Sequence, residues 1–124
     1  MSSMPSEPVP VNSTMVTSAR RVGDALVVAV KGDVDLNNSP ELRAALLNLT
    51  KDAFPRRLVL DLASTSYMDS SAIAVLVEML QKAKKAGAKV CLVRVQPRVR
   101  GLLEIARLDT LFTLAGTEEE AIRS

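Results

Sequence analysis

Apolar positions along this chain follow two periods, and the switches between them outline its elements. Residues 14–20 (TMVTSAR) alternate weakly, Val22-Gly23-Asp24 supplies turn chemistry, and residues 25–31 (ALVVAVK) form a β-prone run. Together they predict an antiparallel hairpin. Gly32-Asp33-Val34-Asp35 closes the second strand. Ser39 then reads as a helix cap with Pro40 in the first helical position, and Leu42, Ala45, Leu46 and Leu49 recur at helical spacing to about Lys51. After Pro55 the run 58–62 (LVLDL) is the continuous apolar type that is buried on both faces. The loop ASTSYM leads to Asp69-Ser70-Ser71, which opens a helix whose Ile73, Leu76, Val77, Leu80 and Ala83 share one side. Gly87, just past a last turn rich in lysine, is its stop signal. Residues 90–95 (VCLVRV) are a strand with Arg94 inside it. Pro97 starts a third helix with Val99, Leu102, Leu103 and Ala106 facing inward. Residues 111–114 are a short strand, and Thr117 with Glu118–Glu120 caps a last helix. Residues 1–12, rich in Ser and Pro and without period, read as a flexible leader, leaving 13–124 as the single domain. Strands alternating with helices after a hairpin give an α/β fold: a mixed, mostly parallel sheet covered by about four helices.

Composition narrows the chemistry. Hydrophobic residues are 48% and charged residues 24% of the 124, the balance of a folded domain. Sixteen Lys+Arg oppose 14 Asp+Glu, for a net +2 that is too small and too evenly spread to advertise nucleic-acid or membrane binding. There is no histidine, which removes imidazole acid–base chemistry, His-based triads and His metal sites. The lone Cys91, in an apolar run, reads as core filling and points to a reducing, cytoplasmic setting. No metal or cofactor is expected.

In open α/β sheets, reactive groups collect at the carboxyl ends of strands beside helix N-termini. Residues 32–39 and 65–72 hold those places. A serine at the start of a long helix has two states: a small neutral group, or a phosphoserine with about two negative charges near the positive dipole end. Asp69, Ser70 and Ser71 are equally the ordinary residues of a helix cap, and spacing leaves both readings open.

The run LVLDLASTSYMDSSAIAVLVEML resembles the signature of STAS-domain anti-sigma factor antagonists, in which an apolar strand and short loop precede aromatic-Met-Asp-Ser-Ser at a helix start. Tyr67-Met68-Asp69-Ser70-Ser71 matches it, and GDVDLNNSPELRAAL is similar to the family's Gly-acidic-apolar-Asp segment, with Asp35 at its aspartate. The resemblance spans residues 14–122. It implies a non-catalytic phosphoprotein, a monomer or weak dimer. The unphosphorylated form would bind an anti-sigma factor serine kinase of histidine-kinase-like ATPase fold. Phosphorylation of Ser70, with Ser71 as second choice, would release that kinase, and a serine phosphatase would reset the switch. Asp33, Asp35, Asn37, Tyr67, Met68, Asp69, Ser71 and Ala72 are then the expected partner surface. Ala72 and Ala74 stand where the family usually has Gly, so Ala72 would bring a methyl toward an approaching kinase loop.

Three other readings compete. A STAS subunit docking constitutively on the ATPase of an ABC lipid transporter would use the same helix start. A receiver domain would phosphorylate Asp33, Asp35 or Asp61 with Mg²⁺. The opening hairpin and the absence of a lysine at the end of strand 90–95 oppose that. A metal-dependent transferase using Asp33 and Asp35 lacks further ligands. Arg94, Arg98, Arg100 and Arg107 read as a solvated face in preference to a basic docking patch.

Overall fold

A computed structural model describes residues 5–124. Six strands form one sheet in sequential order: β1 (Ser6–Pro8), β2 (Val16–Val22), β3 (Ala25–Lys31), β4 (Arg57–Ser64), β5 (Lys89–Val93) and β6 (Thr113–Ala115). The first three pair antiparallel, and β3 through β6 run parallel. Four helices connect or follow them: α1 (Ser39–Thr50), α2 (Ser70–Lys85), α3 (Pro97–Ile105) and α4 (Glu118–Arg123).

The pleat sorts side chains by size. Leu26, Val28 and Val30 of β3, Leu58, Leu60 and Leu62 of β4, and Val90 and Leu92 of β5 pack with buried residues of α1, α2 and α3. The alternate positions Ala25, Val27, Val59, Cys91 and Val93 meet Ala121 of α4 on the opposite face. Large residues therefore fill the space under three helices, and small ones suit the single short helix. Helix α2 turns Ala72, Ile73, Val75, Leu76, Met79 and Ala83 inward. The sequence-predicted stripe is rotated slightly, and Val77 and Leu80 fall at its margin. In α3 only Val99 and Leu103 are buried. Ala106, expected inward, is exposed because the helix ends at Ile105.

Four boundaries depart from expectation. Residues 1–4 of the expected leader lie outside the described residues, but Ser6–Pro8 adds an edge strand to β2, and Val9 and Val11 pack against the core. An edge needs only backbone donors on one side, so proline and polar residues are compatible with it. At α1, Asn38 holds the cap position and Ser39 is the first helical residue. Neither caps with its side chain, because the Asn38 amide bonds the Asp33 carbonyl at 2.9 Å and the Asp35 N–H at 2.8 Å. The last short strand begins at Thr113, and Leu111 is exposed.

The fourth departure is Arg94. Strand β5 ends at Val93, and Arg94 takes a left-handed φ of +54°, which costs a non-glycine residue about 1–2 kcal/mol. Its guanidinium reaches the buried Asp61 carboxylate on β4 and lies 3.8 Å from Glu118 of α4, which in turn pairs with Arg20 of β2 at 2.6 Å. Burial pushes the Asp61 carboxyl up, but the Arg94 guanidinium, the Glu118 carboxyl and the Ala63 amide outweigh it and hold it below the usual range. Burial, then the neighbouring Asp61, pushes Glu118 up. This network ties α4 to the sheet where apolar contact is small. A positively charged group does therefore stand at the end of β5, although the chain order reads Arg94 as a mid-strand residue.

A chain beginning at Asn12 is expected to be less stable than the full chain by about 1–3 kcal/mol, the worth of partly burying two valines plus an edge ladder. Equal urea midpoints for the two would mean that Ser6–Pro8 adds nothing.

Candidate functional site

At the carboxyl ends of β3 and β4, two loops are joined edge to edge. The Gly32 N–H donates to the Ser64 carbonyl at 2.9 Å, and Gly32 takes φ +84°, which lets the chain turn there. Val34 and Met68 then form a parallel bridge, with Val34 N–H to the Tyr67 carbonyl at 3.0 Å and Asp69 N–H to the Val34 carbonyl at 3.1 Å. Val34 and Met68 are both buried and anchor the joined loops in the core.

The Asp69 side chain completes the junction. One carboxylate oxygen accepts from the Ser71 N–H at 2.9 Å, the Ala72 N–H at 3.2 Å and the Ser71 hydroxyl at 2.5 Å. The other accepts from the Leu36 N–H, in the neighbouring loop, at 3.0 Å. The Ser71 hydroxyl, followed by the Ala72, Ser71 and Leu36 amides, holds the carboxyl below its usual range against a smaller desolvation effect. So the N–H groups at the start of α2 are already satisfied by Asp69, and the helix end is not an empty anion seat.

Asp35 organises the other loop. Its carboxylate accepts from the Asn37 and Asn38 amides at 2.9 and 3.3 Å, and its carbonyl accepts from Ser39 N–H at 2.8 Å. Among the described residues no side chain caps α1, and the Asp35 carboxylate instead closes an Asx-type turn over the residues ahead of it. Asp33 accepts from the Ser66 hydroxyl at 2.9 Å. Asp33 and Asp35 are turned to separate loop donors, and among the described residues no three His, Cys, Asp or Glu side chains are grouped to hold a metal ion.

Ser70 and Ser71 differ sharply. Ser70 is exposed, and its hydroxyl makes no hydrogen bond within the described chain, whereas Ser71 is half-buried and committed to Asp69. The joined loops at the sheet's carboxyl edge also carry Asp33, Asn37 and Tyr67, which are exposed, and Asp35 and Asp69, which are half-buried. Two expected surface residues are not on the surface. Met68 is 4% exposed and Ala72 is fully buried, because each occupies an inward position of its element. The extra methyl of Ala72 fills core space and does not stand in a partner's path, which corrects the reading of both residues. Two further residues belong here that the sequence did not place. Leu36, 74% exposed between Asp35 and Asn37, presents a bare apolar side chain. Arg98 of α3 lies over the ring of the 38% exposed Tyr67, 5.5 Å from its centre. An apolar residue flanked by polar ones in a loop was the available signal for Leu36; Arg98 had none, since α3 approaches only in three dimensions.

Residues 17–121 match the STAS domain family. The chain belongs to it. A STAS-domain containing protein of Pseudomonas aeruginosa is 30% identical over 93 residues, covering 75% of this chain and 90% of the relative. An anti-sigma-B factor antagonist of Staphylococcus aureus is 31% identical over 94 residues, covering 75% and 86%. Among solved structures, an anti-sigma factor antagonist of Mycobacterium paratuberculosis superposes with TM-score 0.75 at 26% identity, over 85% of this chain and 88% of that one. SpoIIAA, an anti-sigma factor antagonist solved in its unphosphorylated form, shares the fold with TM-score 0.70 at 19% identity, over 95% and 93%. It is also solved in its phosphorylated form, with TM-score 0.64 at 18% identity, over 96% and 97%. This STAS domain thus has antagonist relatives in sequence and in fold, and among its described residues no helix is long and apolar enough to cross a membrane.

Two substitutions test the loop junction. Asp35→Ala removes an acceptor for two loop amides and is expected to cost about 1 kcal/mol, read from urea unfolding. Asp69→Ala is expected to lower the midpoint at neutral pH and to flatten its pH dependence. The Asp69 pKa is depressed on folding, so its contribution is complete above the ordinary value of 3.8 and is lost as pH falls through the lower folded value. An Asp69→Ala variant that loses stability in acid as steeply as the unmodified protein would show that the carboxylate does not do this.

Proposed function

We infer that this STAS domain is an anti-sigma factor antagonist whose hold on an anti-sigma factor serine kinase is gated by phosphorylation of Ser70. The observation that carries the reading is the contrast at the start of α2: Ser70 is exposed with a free hydroxyl, while Ser71 is bonded to Asp69. Ser70 can therefore enter a kinase active site without breaking an internal bond. Ser71 cannot. The match of Tyr67-Met68-Asp69-Ser70-Ser71 to the family motif and the antagonist relatives support the same residue.

The unmodified surface offers Leu36 and Tyr67 as apolar contacts, set between the carboxylates of Asp33, Asp35 and Asp69. A partner that buries Leu36 and Tyr67 would gain most of its affinity from them and take its orientation from the acidic rim. Phosphorylation adds roughly two negative charges directly beside Asp69, whose carboxylate already holds the helix amides. The phosphate must stay in water next to a like charge, or compete with Asp69 for those amides and loosen the Leu36 loop. Either result penalises docking. A phosphatase is then needed to restore the binding form, and the chain itself serves as substrate and ligand.

Copurification from native lysate tests this. The unmodified protein and Ser70→Ala are expected to retain an ATPase of the histidine-kinase-like fold, and Ser70→Asp to lose it by tenfold or more, about 1.4 kcal/mol. Stoichiometric phosphorylation of Ser70→Ala by that ATPase would refute Ser70 as acceptor. Retention of an ABC transporter ATPase by all three baits would replace the switch with constitutive docking.

A further inference from the structure

The two kinds of cation in this chain are used differently. Every ion pair among the described residues employs an arginine, and none employs a lysine. Five of the six lysines gather at one end of the molecule. Lys51 follows α1, Lys82, Lys84 and Lys85 fill the last turns of α2, and Lys89 opens β5, all of them exposed. Because β3, β4 and β5 run parallel, this is the end where the strands begin, opposite Ser70. The sixteen-residue α2 separates Ser70 from Lys85 by about 24 Å. That exceeds the distance over which charges act through physiological salt, so the two ends behave independently.

Between the ends of α1 and α2 the lysines frame a groove of about 380 Å³ lined by Leu47, Thr50, Lys51, Phe54, Lys82 and Lys85. A second, of about 480 Å³, lies against Gln81, Lys84 and Lys85. The acidic residues at this end, Asp24 and Asp52, offset little: Asp24 is already paired with Arg56 and Arg57.

We propose that this lysine end docks on an anionic lipid bilayer, holding the domain peripherally with Ser70 turned toward solvent. Several features favour a bilayer over other polyanions. The charges stand at three separate element ends, spread over one end of the molecule in the manner a planar anionic surface requires. Lysine ammonium groups act as mobile point charges that suit a fluid array of headgroups, whereas planar, bidentate phosphate recognition uses arginine forks, and the arginines at this end, Arg56 and Arg57, both face Asp24. Nucleic-acid grooves add stacking rings, and the single aromatic here, Phe54, is half-buried. Each lysine near an anionic leaflet is worth roughly a fivefold gain in partitioning, so five suffice for salt-sensitive adsorption without insertion. A bilayer contact at this end leaves the Leu36 and Tyr67 surface free for a protein partner.

Sedimentation of the full chain with vesicles tests the assignment. Vesicles of phosphatidylcholine containing phosphatidylglycerol are expected to carry the protein down at low ionic strength and release it at high salt, and phosphatidylcholine alone to carry none. Lys82→Glu with Lys85→Glu is expected to lower the bound-to-free ratio by more than roughly thirtyfold, the loss of two lysines with repulsion of two new carboxylates added. The same charge change placed elsewhere, Lys31→Glu with Arg100→Glu, should lower it far less, with circular dichroism verifying that both variants fold. Equal loss in the two double variants would reduce the effect to net charge and overturn the proposal. So would binding of the unmodified protein to phosphatidylcholine alone, absence of binding to the anionic vesicles, or tighter binding to a mixed-sequence oligonucleotide at the same salt.

Discussion

The Asp69 carboxylate is the constraint on which the functional end of this domain depends. It caps α2 through the Ser71 and Ala72 amides, locks the Ser71 hydroxyl, and reaches across to the Leu36 amide. One side chain thus sets the start of a helix, decides which of two adjacent serines is free, and fixes the loop that presents the exposed leucine. An uncapped helix start would leave its first N–H groups to water, and the second loop would keep the Val34–Met68 bridge and the Gly32–Ser64 and Ser66–Asp33 bonds but lose its tie at Leu36.

This arrangement explains how a protein without histidine, and with no grouped metal ligands among its described residues, could act as a switch. Its surface carries two exposed apolar residues, Leu36 and Tyr67, on loops that also bear Asp33, Asp35 and Asp69. A group transferred to Ser70 changes the charge of that surface without touching the core, because Ala72 and Met68 beneath it are packed and neutral. The rigid sheet supplies the register of the two loops, and the loops supply the chemistry. The Asp61–Arg94–Glu118–Arg20 network does a separate task on the opposite sheet face. There it replaces the apolar contact that a six-residue helix cannot provide.

Much of this was legible in the residues. Strand β3 and the start of α2 stand where periodicity and capping chemistry put them, since a β-prone run beside Gly-Asp and an Asp-Ser-Ser before an apolar stripe are local signals. The family motif singles out Ser70 as the candidate, and the structure shows it exposed. Less legible were the N-terminal edge strand, which needs only backbone pairing and so leaves no pattern, and Arg94, whose left-handed turn is stabilised by an aspartate 33 residues away. The resemblance also misjudged Met68 and Ala72 as surface residues. A motif residue can be characteristic because it packs and not because it touches a partner.

The sequence by itself determined the order of elements, the class of fold and the candidate phosphoserine, because these rest on local periods, caps and a short contiguous motif. Tertiary structure alone decided which serine hydroxyl is free, that the Leu36 amide bonds Asp69 and Arg98 lies over Tyr67, and that five lysines from three elements share one end. Those facts depend on crossovers that bring distant residues together, and no spacing along a chain reports the direction in which parallel strands point.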